Sequence, residues 1–140
     1  MGNKFIVAAV CAVALGACAR PTQWEEFLTA PRDSYDFTIN VEDSLALYDF
    51  SFYTRIDDGV KKMVYPLKLN IQWVSPSDSC YSETVYMNVK PKEVNENWYR
   101  TGLSFPSCGK WTLRVGVSPQ TKEFRGLGLI WKEQTWDTTN

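Results

Sequence analysis

The feature that most constrains this fold is a strict alternation of apolar and polar side chains. From Tyr35 to Val41, large apolar residues occupy every second position, and Asp, Thr and Asn stand between them. The same period of two returns in five further segments, which start near Tyr48, Leu67, Tyr81, Trp111 and Leu127. A period of two is typical of strands with one face packed and the other solvated. The sequence therefore predicts an all-β chain of about six to eight strands.

Turn-forming residues separate the alternating segments. Asp57-Asp58-Gly59, Ser75-Pro76-Ser77-Asp78, Pro91 and Pro119 each interrupt the pattern. Antiparallel sheets with one apolar face are stable when two of them pack face to face, so we expect an antiparallel β-sandwich, Ig-like or jelly-roll-like. A closed barrel is the competing arrangement. Trp73, Trp111 and Trp131 fall in phase with Leu, Ile and Val and are predicted to lie in the core.

The first residues have the pattern of a lipoprotein signal peptide. Residues 5–15 (FIVAAVCAVAL) form an apolar run that is too short to span a bilayer. The run ends in Leu15-Gly16-Ala17-Cys18, which places small residues before a cysteine, as a lipoprotein cleavage site requires. We expect residues 1–17 to be removed and the Cys18 thiol to carry a diacylglyceryl anchor. An ordinary cleaved signal peptide is the alternative.

The rest of the chain divides into three segments. Residues 18–34 are predicted to form a lipidated collar or linker, helical or extended. Its helical form is favoured by Thr22 and Glu25, which have capping-box spacing, and Pro31 ends any helix. Residues 35–134 would form the β-sandwich domain. The polar segment 135–140 is predicted to be a disordered tail.

Two cysteines would remain in the exported domain, Cys80 and Cys108. Export places them in an oxidising compartment, where disulfides persist. We therefore predict a Cys80–Cys108 disulfide. Two free thiols are the alternative.

Several classes of function are disfavoured by what the chain contains. It has no histidine, which removes the commonest proton shuttle and many metal ligands, and its cysteines lack metal-site spacing. Without Lys4, the chain would carry 14 basic and 16 acidic residues, which argues against nucleic acid as a partner. We interpret neighbouring acidic residues such as Glu25-Glu26 as solvated carboxylates. We predict no enzymatic activity, no metal and no cofactor.

Aromatic side chains are the other candidates for function, since they make up 14% of the chain. Tyr53, Tyr86, Trp98, Tyr99 and Trp136 fall outside the core phase. Exposed rings serve protein contacts or sugar binding. We expect Trp98 and Tyr99 to contact a partner protein or a glycan, with protein contact favoured.

The order of these features resembles the gliding-motility lipoprotein H family of Gram-negative bacteria. The resemblance rests on short motifs that follow the lipobox: Trp24-Glu25-Glu26-Phe27 with Pro31, Arg55-Ile56-Asp57, Tyr65-Pro66-Leu67-Lys68-Leu69, Ser82-Glu83-Thr84-Val85-Tyr86, Phe105-Pro106, Gly109-Lys110-Trp111-Thr112-Leu113, and Gly-Leu-Gly-Leu-Ile at 126–130. The chain departs from the family between Pro91 and Phe105, where it is shorter and keeps Trp98 and Gly102 without a second glycine.

The resemblance implies an accessory envelope lipoprotein of the gliding or associated secretion apparatus, with no catalytic residues to carry over. Other envelope proteins would be its partners, and the lipid would hold it to a membrane. Ala19 follows Cys18 where an inner-membrane retention signal would have Asp, which favours the outer membrane. The alternative function is a carbohydrate-binding β-sandwich lipoprotein at the cell surface.

Overall fold

The computed structural model of the protein describes residues 22–57, 65–89 and 94–134. The predicted signal peptide, Cys18 and the 135–140 tail lie outside these residues. The described chain forms eight strands: β1 (Gln23–Thr29), β2 (Tyr35–Val41), β3 (Tyr48–Ile56), β4 (Tyr65–Val74), β5 (Cys80–Val89), β6 (Val94–Leu103), β7 (Gly109–Ser118) and β8 (Phe124–Glu133).

The strands form two antiparallel sheets of four. One has the order β1-β8-β3-β6 and the other β2-β7-β4-β5. The prediction of an antiparallel β-sandwich is therefore confirmed. Each sheet interleaves strands from the two halves of the chain, and this order is that of an eight-stranded jelly roll.

Alternate residues of the strands meet between the two sheets and form the core. In β2, Tyr35, Phe37, Ile39 and Val41 are buried, and the polar residues between them are exposed. Trp73, Trp111 and Trp131 are also buried, as the alternation predicts. At one end of the core, four rings meet edge to face or tilted with centroids 5.1–5.4 Å apart: Phe50, Trp73, Phe105 and Trp111.

The segment expected to be a collar contributes a strand of the sandwich. Gln23–Thr29 pairs with β8 along its whole length, from Gln23 opposite Lys132 to Thr29 opposite Gly126. Trp24 and Leu28 pack against the core from this edge. The sandwich therefore begins at Gln23 and not at Tyr35, and the helical form of the collar is wrong, because pairing with β8 takes up the backbone hydrogen bonds.

The two ends of the sandwich are distinct. Gln23, Tyr48 and Leu103 lie at one end of the first sheet, where the described chain enters it, and we call this the proximal end. Loops 42–47, 75–79 and 104–108 close the same end of the sandwich. The opposite, distal end carries loops 30–34 and 119–123.

The predicted Cys80–Cys108 disulfide is absent, and both cysteines are free and exposed. Cys80 lies opposite Val74, which lies opposite Thr112, whereas Cys108 precedes β7. The register separates Cys80 from Gly109 by about 10 Å across two strand spacings and by about 10 Å along the strands. A disulfide needs Cα atoms about 4–7 Å apart. The Cys108 thiol instead points to the Glu42 carbonyl at 3.5 Å, on the far side of β7 from Cys80.

Candidate functional site

The most conspicuous surface is a seam where the free edges of the two sheets meet. β5 is the last strand of one sheet and β6 the last strand of the other. We define the β5–β6 seam as residues 81–87 of β5 and 97–103 of β6. It contains both predicted contact residues, Trp98 and Tyr99.

Trp98 and Tyr86 are the most exposed rings of the seam, with 71% and 68% of their surface open to water. Each stands on the outward side of its strand, because its neighbours along the chain point inward. The two rings flank a shallow cleft of about 60 Å³, whose floor includes Val85 and Met87. The prediction that Trp98 is available for contact agrees with this exposure.

Tyr99 has a different orientation from the one expected of a contact ring. It points inward, is half-buried and packs on Phe52 with ring centroids 5.1 Å apart. Its hydroxyl accepts a hydrogen bond from the Trp73 indole at 3.0 Å and donates one to the Glu83 carboxylate. Successive residues of a strand point to opposite faces, so Trp98 and Tyr99 do not form a continuous exposed pair.

Tyr99 instead positions the charged group of the seam. Arg100 forms an ion pair with Glu83, and its guanidinium carbon lies 4.8 Å from the centroid of the Tyr99 ring. Burial, and then the hydrogen bond to Glu83, raise the pKa of the Tyr99 phenol well above its usual range. The phenol therefore stays protonated and keeps donating to Glu83 at any physiological pH.

A cavity of about 310 Å³ continues the seam toward the proximal end. Tyr81, Glu83 and Arg100 form its open side, and the buried rings Phe105 and Trp111 form its base. Tyr81 is itself 55% exposed. The seam thus includes three exposed rings: Tyr81 lines this cavity together with Arg100, whereas Tyr86, about 17 Å further along β5, and Trp98 of β6 line the smaller cleft.

One of the other rings predicted from the sequence, Tyr53, lies elsewhere. Tyr53 stands on the outer face of the β1-β8-β3-β6 sheet, next to Phe27, at a centroid distance of 5.6 Å. Phe27 was assigned to the collar and not to a binding surface. The signal that could have identified this pair is the Gly-x-Gly of 126–128, since glycines in a strand mark places where another group approaches the backbone. Trp136 lies outside the described residues.

The chemistry that the seam can support is recognition through rings and charge. Within residues 22–57, 65–89 and 94–134, no three metal-ligating side chains come together. Nor does the described part of the chain include a helix long and apolar enough to cross a bilayer.

Comparison with protein-family models gave no match, and neither did comparison with curated proteins.

Proposed function

We propose that this protein is a lipid-anchored envelope lipoprotein that docks onto other envelope proteins through the β5–β6 seam. It acts as a non-enzymatic accessory or assembly module of a gliding or associated secretion apparatus, as its resemblance to the gliding-motility lipoprotein H family implies. The outer membrane is its proposed location.

The observation that carries the docking role is the exposure of Tyr81, Tyr86 and Trp98 along one seam. Each exposes more than half of its surface. Trp, Tyr and Arg dominate the binding energy of protein interfaces, and the seam supplies all three. Glu83 and Tyr99 hold Arg100 in place before a partner arrives, so little side-chain entropy is lost when it binds.

The anchor would orient the seam relative to the bilayer. Five residue steps separate Cys18 from Gln23, and an extended chain of that length reaches at most about 18 Å. The proximal end therefore faces the membrane, and the seam runs along the side of the sandwich from that end toward the distal end. Mass spectrometry of the mature N-terminus tests this premise, and an unmodified Cys18 would refute it.

The docking role is tested by site-specific photo-cross-linking in cells that express the native chain. A photoreactive residue at position 98 should give one discrete cross-linked protein band. The same probe at Leu45 should give none, although Leu45 is 85% exposed, because it lies on loop 42–47 outside the seam.

The double variant Trp98→Ala/Tyr86→Ala then asks whether the rings hold the partner. We expect it to abolish co-purification of the cross-linked partner and leave the melting temperature unchanged, since both rings are mostly in water. Leu45→Ala is the matched control. Equal co-purification by both variants, or identical cross-links at positions 98 and 45, would refute docking through the seam.

A further inference from the structure

The outer face of the β1-β8-β3-β6 sheet carries a pair of stacked aromatic rings that the docking role does not use. Phe27 of β1 and Tyr53 of β3 lie on either side of Gly128 in the sheet register. Their ring planes differ by only 29° at a centroid distance of 5.6 Å. We call these two rings the Phe27–Tyr53 platform.

Two glycines allow the platform to lie against the sheet. A Cβ on Gly128 would collide with three ring atoms of Tyr53, and a Cβ on Gly126 would collide with the Phe27 ring. The rings therefore lie against bare backbone, and 37% of the surface of Phe27 remains exposed. The Tyr53 hydroxyl also donates to the Glu25 carboxylate at 2.6 Å, which fixes its ring further.

Positive charge borders the platform on its distal side. Phe27, Tyr53 and Phe124 line a cleft of about 880 Å³ together with Arg55, Lys122 and Arg125. Arg125 is paired with Asp57 at 3.4 Å. Arg55 and Lys122 form no ion pair within the part of the chain that the structure describes. Two cations without an ion-pair partner among the described residues, in a chain of net charge −1, favour an anionic ligand group at this position.

The remaining sides of the platform are acidic. Glu25 lies one row toward the proximal end, bonded to the Tyr53 hydroxyl, and Glu96 lies opposite Tyr53 on β6. A ligand with carboxylates along its whole length would meet repulsion here. A ligand with one acidic group and many hydroxyls would not, because hydroxyls donate hydrogen bonds to carboxylates.

We propose that the Phe27–Tyr53 platform and its basic border form a second binding site, for an oligosaccharide that carries an occasional uronic acid. The apolar C–H face of a pyranose packs on this pair of near-parallel rings, whose faces are electron-rich. The uronate lies against Arg55 and Lys122, and neighbouring sugar hydroxyls bond to Glu25 and Glu96. This site is on a different face from the seam and does not depend on the docking role.

A glycan array tests the site directly. The array carries uronate-containing oligosaccharides, each printed beside its carboxyl-reduced counterpart, and polyglutamate as a purely anionic probe. We expect the native chain to retain at least one uronate glycan, to bind its reduced form about tenfold less, and to leave polyglutamate unbound, because a charge-assisted hydrogen bond is lost on reduction.

Titration with the best-bound glycan then separates the parts of the site. Arg55→Gln should weaken binding of the acidic glycan about tenfold and leave binding of its reduced form unchanged. Phe27→Ala should weaken both. Trp98→Ala, in the seam, should change neither, so a failure of this site and a failure of the docking role give different results. Thermal unfolding confirms that each variant is folded.

Other outcomes would overturn the proposal. Retention of no uronate glycan, equal retention of the reduced forms, or undiminished binding by folded Phe27→Ala and Arg55→Gln would each exclude it. Retention of polyglutamate without any sugar would identify an acidic-peptide site instead.

Discussion

At the scale of single residues, the two glycines of β8 have different tasks. Gly126 has a φ of +147°, and a Cβ there would strike the Leu28 carbonyl of the neighbouring strand as well as the Phe27 ring. Gly128 has no such φ, and the three atoms nearest to a Cβ there all belong to the Tyr53 side chain. The backbone of β8 therefore requires glycine at 126, whereas the platform requires it at 128.

We accordingly expect Gly126→Ala to lower the free energy of unfolding by about 3 kcal/mol, since backbone strain and a backbone collision add. Gly116→Ala in β7 is the matched control, because a Cβ there meets nothing closer than 3.9 Å. Urea unfolding measures both. A loss for Gly126→Ala no greater than for Gly116→Ala would contradict the assignment of strain to this position.

At the scale of strands, period-two alternation predicts β2 and β7 well and predicts β1 and β6 poorly. In β2 and β7 the apolar residues of the sequence are the buried ones, and the polar residues between them are more exposed. One face of each strand packs on the core and the other does not. β1 is mostly exposed, and its apolar residues Trp24, Phe27 and Leu28 also fit one helical face. β6 pairs with β3 through register shifts that break the alternation. Without an assignment of β6, the inward orientation of Tyr99 could not be derived.

β1 should contribute to stability as a true strand would. The Trp24 ring stacks on Trp131 with centroids 6.1 Å apart and planes 17° apart. We expect Trp24→Ala to lower the free energy of unfolding by about 2–3 kcal/mol, less than for a fully buried tryptophan. Gln23→Ala, exposed on the same strand, should change it by less than about 0.5 kcal/mol. If chemical denaturation showed equal losses of unfolding free energy for the two variants, β1 would not contribute to stability as a strand of the sandwich.

At the scale of the whole molecule, the sandwich needs no covalent closure. Its two sheets bury a continuous core of aromatic and aliphatic side chains, and the free thiols of Cys80 and Cys108 lie outside it. The sequence predicts a disulfide because two cysteines remain after the expected cleavage and lipidation, and because the expected export would expose them to an oxidising compartment. Their separation depends on strand order, which composition and spacing do not determine.

Both thiols should therefore react with iodoacetamide in the native protein without any reductant, and intact mass spectrometry counts the added groups. The double variant Cys80→Ser/Cys108→Ser should unfold at the same temperature as the native chain. A native disulfide closing this loop would instead make the variant less stable by about 3–4 kcal/mol. Resistance to alkylation would favour the disulfide.

The pairing of β1 with β8 makes Gln23 and Lys132 neighbours. A circular permutant, with these ends joined by a short linker and the chain reopened within loop 119–123, would keep every strand pair of the jelly roll. A lipid attached to its new N-terminus would then tether the sandwich by its opposite pole. In this permutant, the same binding surfaces would lie at a different height above the bilayer. Comparing it with the native chain would therefore show whether binding of a ligand depends on the distance between the binding surface and the proposed anchor.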